Sequence, residues 1–156
     1  MGMGSLPQEP VRAPSTGDEF QRSEHRRTSP ARRLTPQQRA VARMARARWA
    51  ENLAARFYEQ NGYEIVARNW HCREGELDIV AILASAAGVV IAIVEVKARA
   101  TTSFGSPFEA VNQVKQKKLR IAATKFLASH RELRGEIRFD VVAVLGTQLD
   151  MLQNAF

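Results

Sequence analysis

Four ionisable side chains sit where folding alone gives little reason to place them. Glu76 and Asp78 open an apolar run, Gly75 to Leu83, and Glu95 and Lys97 close a second one, Val89 to Val96; between the two lies the small-residue cluster Ser85 to Gly88. Val- and Ile-rich runs bounded by such a cluster read as a β-hairpin. A turn centred on Ala86 and Ala87 sets Asp78 opposite Glu95 and Glu76 opposite Lys97. Residues two apart on a strand share a face, as do directly opposed residues. All four charges therefore point the same way. Desolvating carboxylates at the ends of buried strands is costly, and a metal site with a catalytic lysine would account for the expense.

The chemistry suited to such a group is phosphodiester hydrolysis. It needs an activated water, relief of charge on the phosphoryl oxygens and help for the leaving alkoxide. A hard divalent cation on oxygen ligands, Mg²⁺ or Mn²⁺, supplies much of this. Asp78 and Glu95 are the first candidate ligands, and the main-chain carbonyl of Val96 offers a third oxygen. Lys97 would orient the attacking water or neutralise charge, and serves as general base where burial and a nearby cation depress its pKa. The bland reading is cross-strand charge pairing, common for Glu-x-Lys on a strand.

The elements that must position these residues follow from local signals. Thr35-Pro36-Gln37-Gln38 is a capping box with proline at the first helical position, and Asn61-Gly62 is a stop, which predicts a helix from Pro36 to about Gln60. Its first half carries Arg39, Arg43 and Arg46 at helical spacing, either a phosphate-binding face or a solvated one. A strand is expected over Tyr63 to Trp70, then a polar turn from His71 to Gly75, then the hairpin. Ser106-Pro107-Phe108-Glu109 is a second capping box, predicting a helix to about Ser129 with the apolar stripe Phe108, Val111, Lys115, Leu119, Ala122, Phe126. Lys115 in an apolar slot either snorkels past the core edge or reaches the hairpin carboxylates. Arg138 to Leu145 reads as the last strand, parallel to the third because a helix returns the chain to its starting edge. The expected class is α/β, a mixed sheet flanked by helices in the order αβββαβ.

The chain of 156 residues suits one core-bearing domain. We read residues 1–34 as a disordered basic tail, 35–146 as the domain and 147–156 as a loosely ordered end. The net charge of +7 is unevenly spread: residues 1–48 hold ten arginines against four carboxylates (+6), leaving 13 basic and 12 acidic groups (+1) for the remainder. Phosphate attraction would thus come mainly from the arm and its helix. The single cysteine, Cys72, fits a reducing compartment, and no partner histidine marks it as a nucleophile. No secretory h-region opens the sequence, and the longest apolar run is too short to span a bilayer. A cytoplasmic, non-membrane location is expected.

The motifs recur in an order that resembles a known family. Gly75-Glu76-Leu77-Asp78-Ile79-Val80, Val94-Glu95-Val96-Lys97-Ala98-Arg99, Phe104-Gly105-Ser106-Pro107 with Lys115, and Arg138-Phe139-Asp140-Val141-Val142 look like the YraN-like family of uncharacterised bacterial proteins. Ala50-Glu51-Asn52-Leu53, Gly62-Tyr63 and Ala67-Arg68-Asn69-Trp70 match upstream, so the resemblance covers roughly residues 48 to 145. That family is similar to the PD-(D/E)xK nuclease superfamily, the restriction-endonuclease-like fold that includes Holliday-junction resolvases. The resemblance implies Asp78, Glu95 and Lys97 as catalytic residues, with Glu51 as an additional metal ligand or water-binding group. It leaves Glu76 and Asp140 without assigned roles beyond pairing Lys97 or Arg99 and capping a loop. It implies a metal-dependent nuclease acting on DNA with branched or single-stranded features, for which a resolvase-like activity would call for a symmetric homodimer. On that reading the candidate nucleic-acid contacts are the Arg39, Arg43 and Arg46 stripe, which lies outside the resemblance, and Arg99. The alternative is a non-catalytic nucleic-acid-binding or adaptor protein that retains the fold.

Overall fold

A computed structural model describes residues 33–100 and 111–156. Residues 1–32 of the tail expected over 1–34, and the capping box at Ser106, lie outside the described residues.

The first helix, α1 (Pro36–Gln60), has the termini its sequence encodes. Thr35 caps it, with its hydroxyl on the Gln38 amide and the Gln38 side chain returning to the Thr35 amide. Gly62, at φ 84°, takes the left-handed conformation that lets the chain turn into the sheet. Then come β1 (Glu64–Cys72), β2 (Gly75–Ser85), β3 (Gly88–Arg99), α2 (Gln113–Ser129), β4 (Glu136–Leu145) and β5 (Gln148–Leu152). The strands form one sheet in sequence order, antiparallel except where β4 runs parallel to β3. This is a mixed α/β architecture with helices on both faces. Apolar positions divide accordingly: Ile79, Ala81, Val94 and Val142 pack on Ala50, Ala54 and Tyr58 of α1, while Val80, Ile91, Ile93 and Val141 pack on Leu119, Ala122 and Phe126 of α2.

The hairpin register follows the turn at Ala86 and Ala87, with Ser85 opposite Gly88 and Ile79 opposite Val94. There the ladder stops. Glu76 therefore does not face Lys97 across a strand pair; at that point β2 pairs with β1 through His71 and Glu76. The physical cause is a substitution of partners: the Asp78 carboxylate, rather than a backbone carbonyl, accepts the Val96 amide at 2.7 Å.

Two further expectations change. The second helix begins at Gln113, capped by Asn112, whose side chain accepts the Lys115 amide at 3.0 Å; Val111 is buried but precedes the helix. Residues 147–156 are not a loose end. β5 pairs with β4 from Leu145↔Gln148 to Val141↔Leu152, its partly buried Leu149 and Met151 join the α1-side core, and Phe156 stacks on Phe139. The alternation of Leu149 and Met151 with polar residues spans only five positions, too few to stand out as a strand in sequence.

Candidate active site

The site lies where β2 and β3 part. Glu95 is buried, only 3% exposed, because its position on β3 directs it beneath the first turn of α2. Its Oε1 receives two ammonium groups, Lys97 Nζ at 2.6 Å and Lys115 Nζ at 3.1 Å. Its Oε2 is buried and has no hydrogen-bond partner among the described residues. Lys115 thus reaches the carboxylates rather than passing the core edge, and its Nζ also lies 3.9 Å from Glu76. Asn112 fixes its backbone in the first turn of α2, where the helix macrodipole disfavours a cation by about 0.3–1 kcal/mol. The nearby carboxylates offset that cost.

Asp78 stands beside this pair. Its carboxyl is pushed up to about 7, chiefly by burial and then by the negative charge of Glu95, against the opposing effects of the Val96 amide and Lys115. Glu76 is exposed and pairs with His71 Nε2 at 3.3 Å. A cleft of about 330 Å³ opens next to it, between the β1–β2 turn and α2, with Arg73 and Lys118 among its lining residues.

Glu51 does not complete a three-carboxylate group. Among the described residues no set of three or more His, Cys, Asp or Glu side chains converges closely enough to hold a metal. Glu51 Oε2 instead accepts from Asn69 Nδ2 at 3.0 Å, and the neighbouring Asn52 accepts from Arg68 at 2.7 Å. Glu51 is still near enough for its charge to act on Asp78. Asn69 was not singled out by sequence, yet it holds φ 49° inside β1, a left-handed conformation that asparagine tolerates better than most residues. Its sequence signals are its type and its place in the matched motif Ala67-Arg68-Asn69-Trp70.

Arg39, Arg43 and Arg46 are exposed along the first half of α1, before the helix's buried segment Ala50 to Tyr58. Arg99 is partly buried at the end of β3. Asp140 belongs to a separate network: fully buried, it accepts from Tyr58 Oη at 2.7 Å, from Arg138 Nε at 2.9 Å and Nη2 at 2.8 Å, and from the Asn154 amide at 3.0 Å. The Asn154 amide on Asp140 is the loop contact expected of it. Among the described residues no helix is long and apolar enough to cross a membrane.

Comparison with known proteins adds family membership. Residues 50–144 match the model of a family described as "Uncharacterised protein family UPF0102". The chain belongs to that family. It is similar to a UPF0102 protein of Beutenbergia cavernae, 45% identical over 100 residues that cover 64% of this chain and 81% of the relative. A UPF0102 protein of Nocardia farcinica is 50% identical over 97 residues, 62% and 73% of the two chains, and one of Acidothermus cellulolyticus is 39% identical over 132 residues, 75% and 97%. The segment matched to UPF0102 contains Glu51, Glu76, Asp78, Glu95, Lys97 and Lys115, and excludes Arg39, Arg43, Arg46 and β5.

Proposed function

We infer that this protein is a divalent-metal-dependent nuclease with a restriction-endonuclease-like core, cleaving phosphodiester bonds in DNA with branched or single-stranded features. The observation that carries the reading is Glu95: a buried carboxylate with two ammonium groups on one oxygen and no described partner on the other. Leaving such an oxygen unsatisfied costs about 1–3 kcal/mol or more, a cost that a hard cation would offset. Carboxylate oxygens are the donors Mg²⁺ and Mn²⁺ prefer, so the donor set fits. Asp78, Glu95 and the carbonyl of Val96 would hold the ion, and Glu51 would act from further out through its charge on Asp78.

A bound ion would polarise the phosphoryl group and lower the pKa of its water. The protein's own residues do the rest. Lys97, already held by Glu95, orients the attacking water and balances charge at the phosphate. Lys115 neutralises Glu95 and presents a second ammonium to the same place. Burial of Glu95 keeps this array dry on its protein side, where fixed charges act most strongly. The order helix, three strands, helix, strand supports the superfamily resemblance, and a resolvase-like activity would require two copies arranged symmetrically.

A second reading, a non-catalytic nucleic-acid-binding protein, draws support from the same cluster: Lys97 and Lys115 already neutralise Glu95, and no three side-chain ligands converge. The test is cleavage of duplex, single-stranded, flapped and four-way DNA in Mg²⁺ or Mn²⁺. Activity should appear with the metal, vanish in EDTA and be lost in Asp78→Ala and Glu95→Ala. Cleavage that persists in both variants would remove the assignment.

A further inference from the structure

Beyond the site along β3, on the face of the sheet that α1 covers, is a groove with a different chemistry. It has a volume of about 540 Å³ and is lined on one side by Arg46 and Trp49 of α1, on the other by Arg99, Ala100, Val144 and Leu145 at the ends of β3 and β4. Arg46 and Trp49 are three residues apart and so share a helix face. Arg99 follows Lys97 by two positions, about 7 Å along the strand. Half of the Trp49 side chain is exposed, at 49%. It is nevertheless anchored: its indole N–H donates to the Gly146 carbonyl at 3.0 Å, across the β4–β5 turn that Gly146 makes at φ 61°.

A half-exposed, hydrogen-bond-anchored aromatic ring in a groove that two arginines and apolar residues also line combines the two things an unpaired nucleotide needs. The ring offers a stacking surface for a base, and the cations attract the phosphates on either side of it. We propose that the Trp49 groove binds an unpaired nucleobase of a DNA strand, with Arg46 and Arg99 on its flanking phosphates, so that single-stranded character next to the scissile bond is recognised here. This rests on the nuclease reading of the neighbouring site. The occupant favoured by the charge is a polyanion rather than an apolar peptide, since both long side chains lining the groove beside Trp49 are cationic.

The experiment is a fluorescence titration of the full chain, in EDTA so that no cleavage occurs, with a short oligothymidylate, with the same oligomer carrying abasic sites, and with a blunt duplex. Oligothymidylate should quench emission from Trp49, seen as the difference between the wild type and Trp49→Phe. Trp49→Ala should weaken binding by roughly 5- to 150-fold, the range of one base–aromatic stack. Trp49→Phe should keep most of the affinity, and the duplex should bind wild type and Trp49→Ala alike. If Trp49→Ala does not fold, as judged by its thermal melt, the abasic oligomer decides on wild type: it should bind as much more weakly than the intact one. Equal affinity of wild type for intact and abasic strands, or equal binding of intact strand by wild type and a folded Trp49→Ala, would overturn the proposal, as would an absence of oligonucleotide binding. Metal-dependent cleavage together with Trp49-independent binding would remove the groove and leave the nuclease reading. Stacking on Trp49 without cleavage under any metal would remove the nuclease and leave the groove.

Discussion

Two carboxylates in this protein are equally removed from water and entirely different in their surroundings. Asp140, at 0% exposure, has both oxygens filled by donors from α1, β4 and the segment after β5. Glu95, at 3%, has one oxygen crowded by two lysines and the other empty of described partners. A buried charge whose every lone pair is used ties elements together. One left half-satisfied indicates that something beyond folding placed it there. Burial alone would have grouped these residues; hydrogen-bond accounting separates them.

The contrast can be broken most severely at Glu95. Glu95→Gln is nearly isosteric, and it should reduce metal-dependent cleavage by about 10²–10³-fold or more, while the thermal melt of the apo protein shifts little or upward. A large loss of stability with activity retained would reverse the roles. Asp140→Ala should do the opposite: the partly buried Arg138 guanidinium would keep Tyr63 Oη but lose its carboxylate, costing up to about 3–5 kcal/mol, measurable by denaturant unfolding. Any residual folded fraction should cleave normally.

A smaller effect sharpens the comparison through pH. Asp78 holds its proton up to about 7 in the folded chain, against an ordinary value of 3.8. Between those values the native state binds more protons than the unfolded one, so this group's contribution to stability falls as pH rises through the window. Asp78→Asn should abolish that part of the fall, seen as a flatter curve for the variant and a wild-type-minus-variant stability difference that falls as pH rises across the window. Metal binding requires the ionised carboxylate, so Mn²⁺ affinity should rise as pH increases through about 7. The smallest change is expected on α1. Arg39→Ala and Arg43→Ala should each reduce the salt slope of DNA binding by about one, and a slope indifferent to both would make this stripe a solvated face.

The parts of the molecule that were legible in the sequence are those encoded locally. Thr35 and Gln38 at one end and Asn61-Gly62 at the other bound α1, and the small-residue turn at Ala86 and Ala87 fixes the register of β2 on β3. The parallel β3–β4 pair followed from the intervening helix. Asp78, Glu95, Lys97 and Lys115 were singled out because charges in apolar slots are costly, and the structure gathers them. What the sequence hid depended on partners far along the chain. The pairing of β5 rests on two apolar residues, Leu149 and Met151. Glu51 is held by Asn69, an asparagine in the left-handed conformation within a strand. Trp49 reads as one more aromatic residue until Gly146 is seen to hold its ring. Asn112 caps α2 with its side chain on the Lys115 amide, a start that no capping-box pair in the sequence marks.

The central claim is that the empty side of Glu95 is a metal position, and calorimetric titration of Mn²⁺ into the full chain tests it most directly. One site per chain is expected, weakened strongly in Asp78→Asn and lost in Glu95→Gln, with Asp150→Asn, an exposed carboxylate on β5, leaving it unchanged. No heat of binding in the wild type, or binding that Glu95→Gln leaves intact, would contradict it and favour a protein that holds nucleic acid without cutting it.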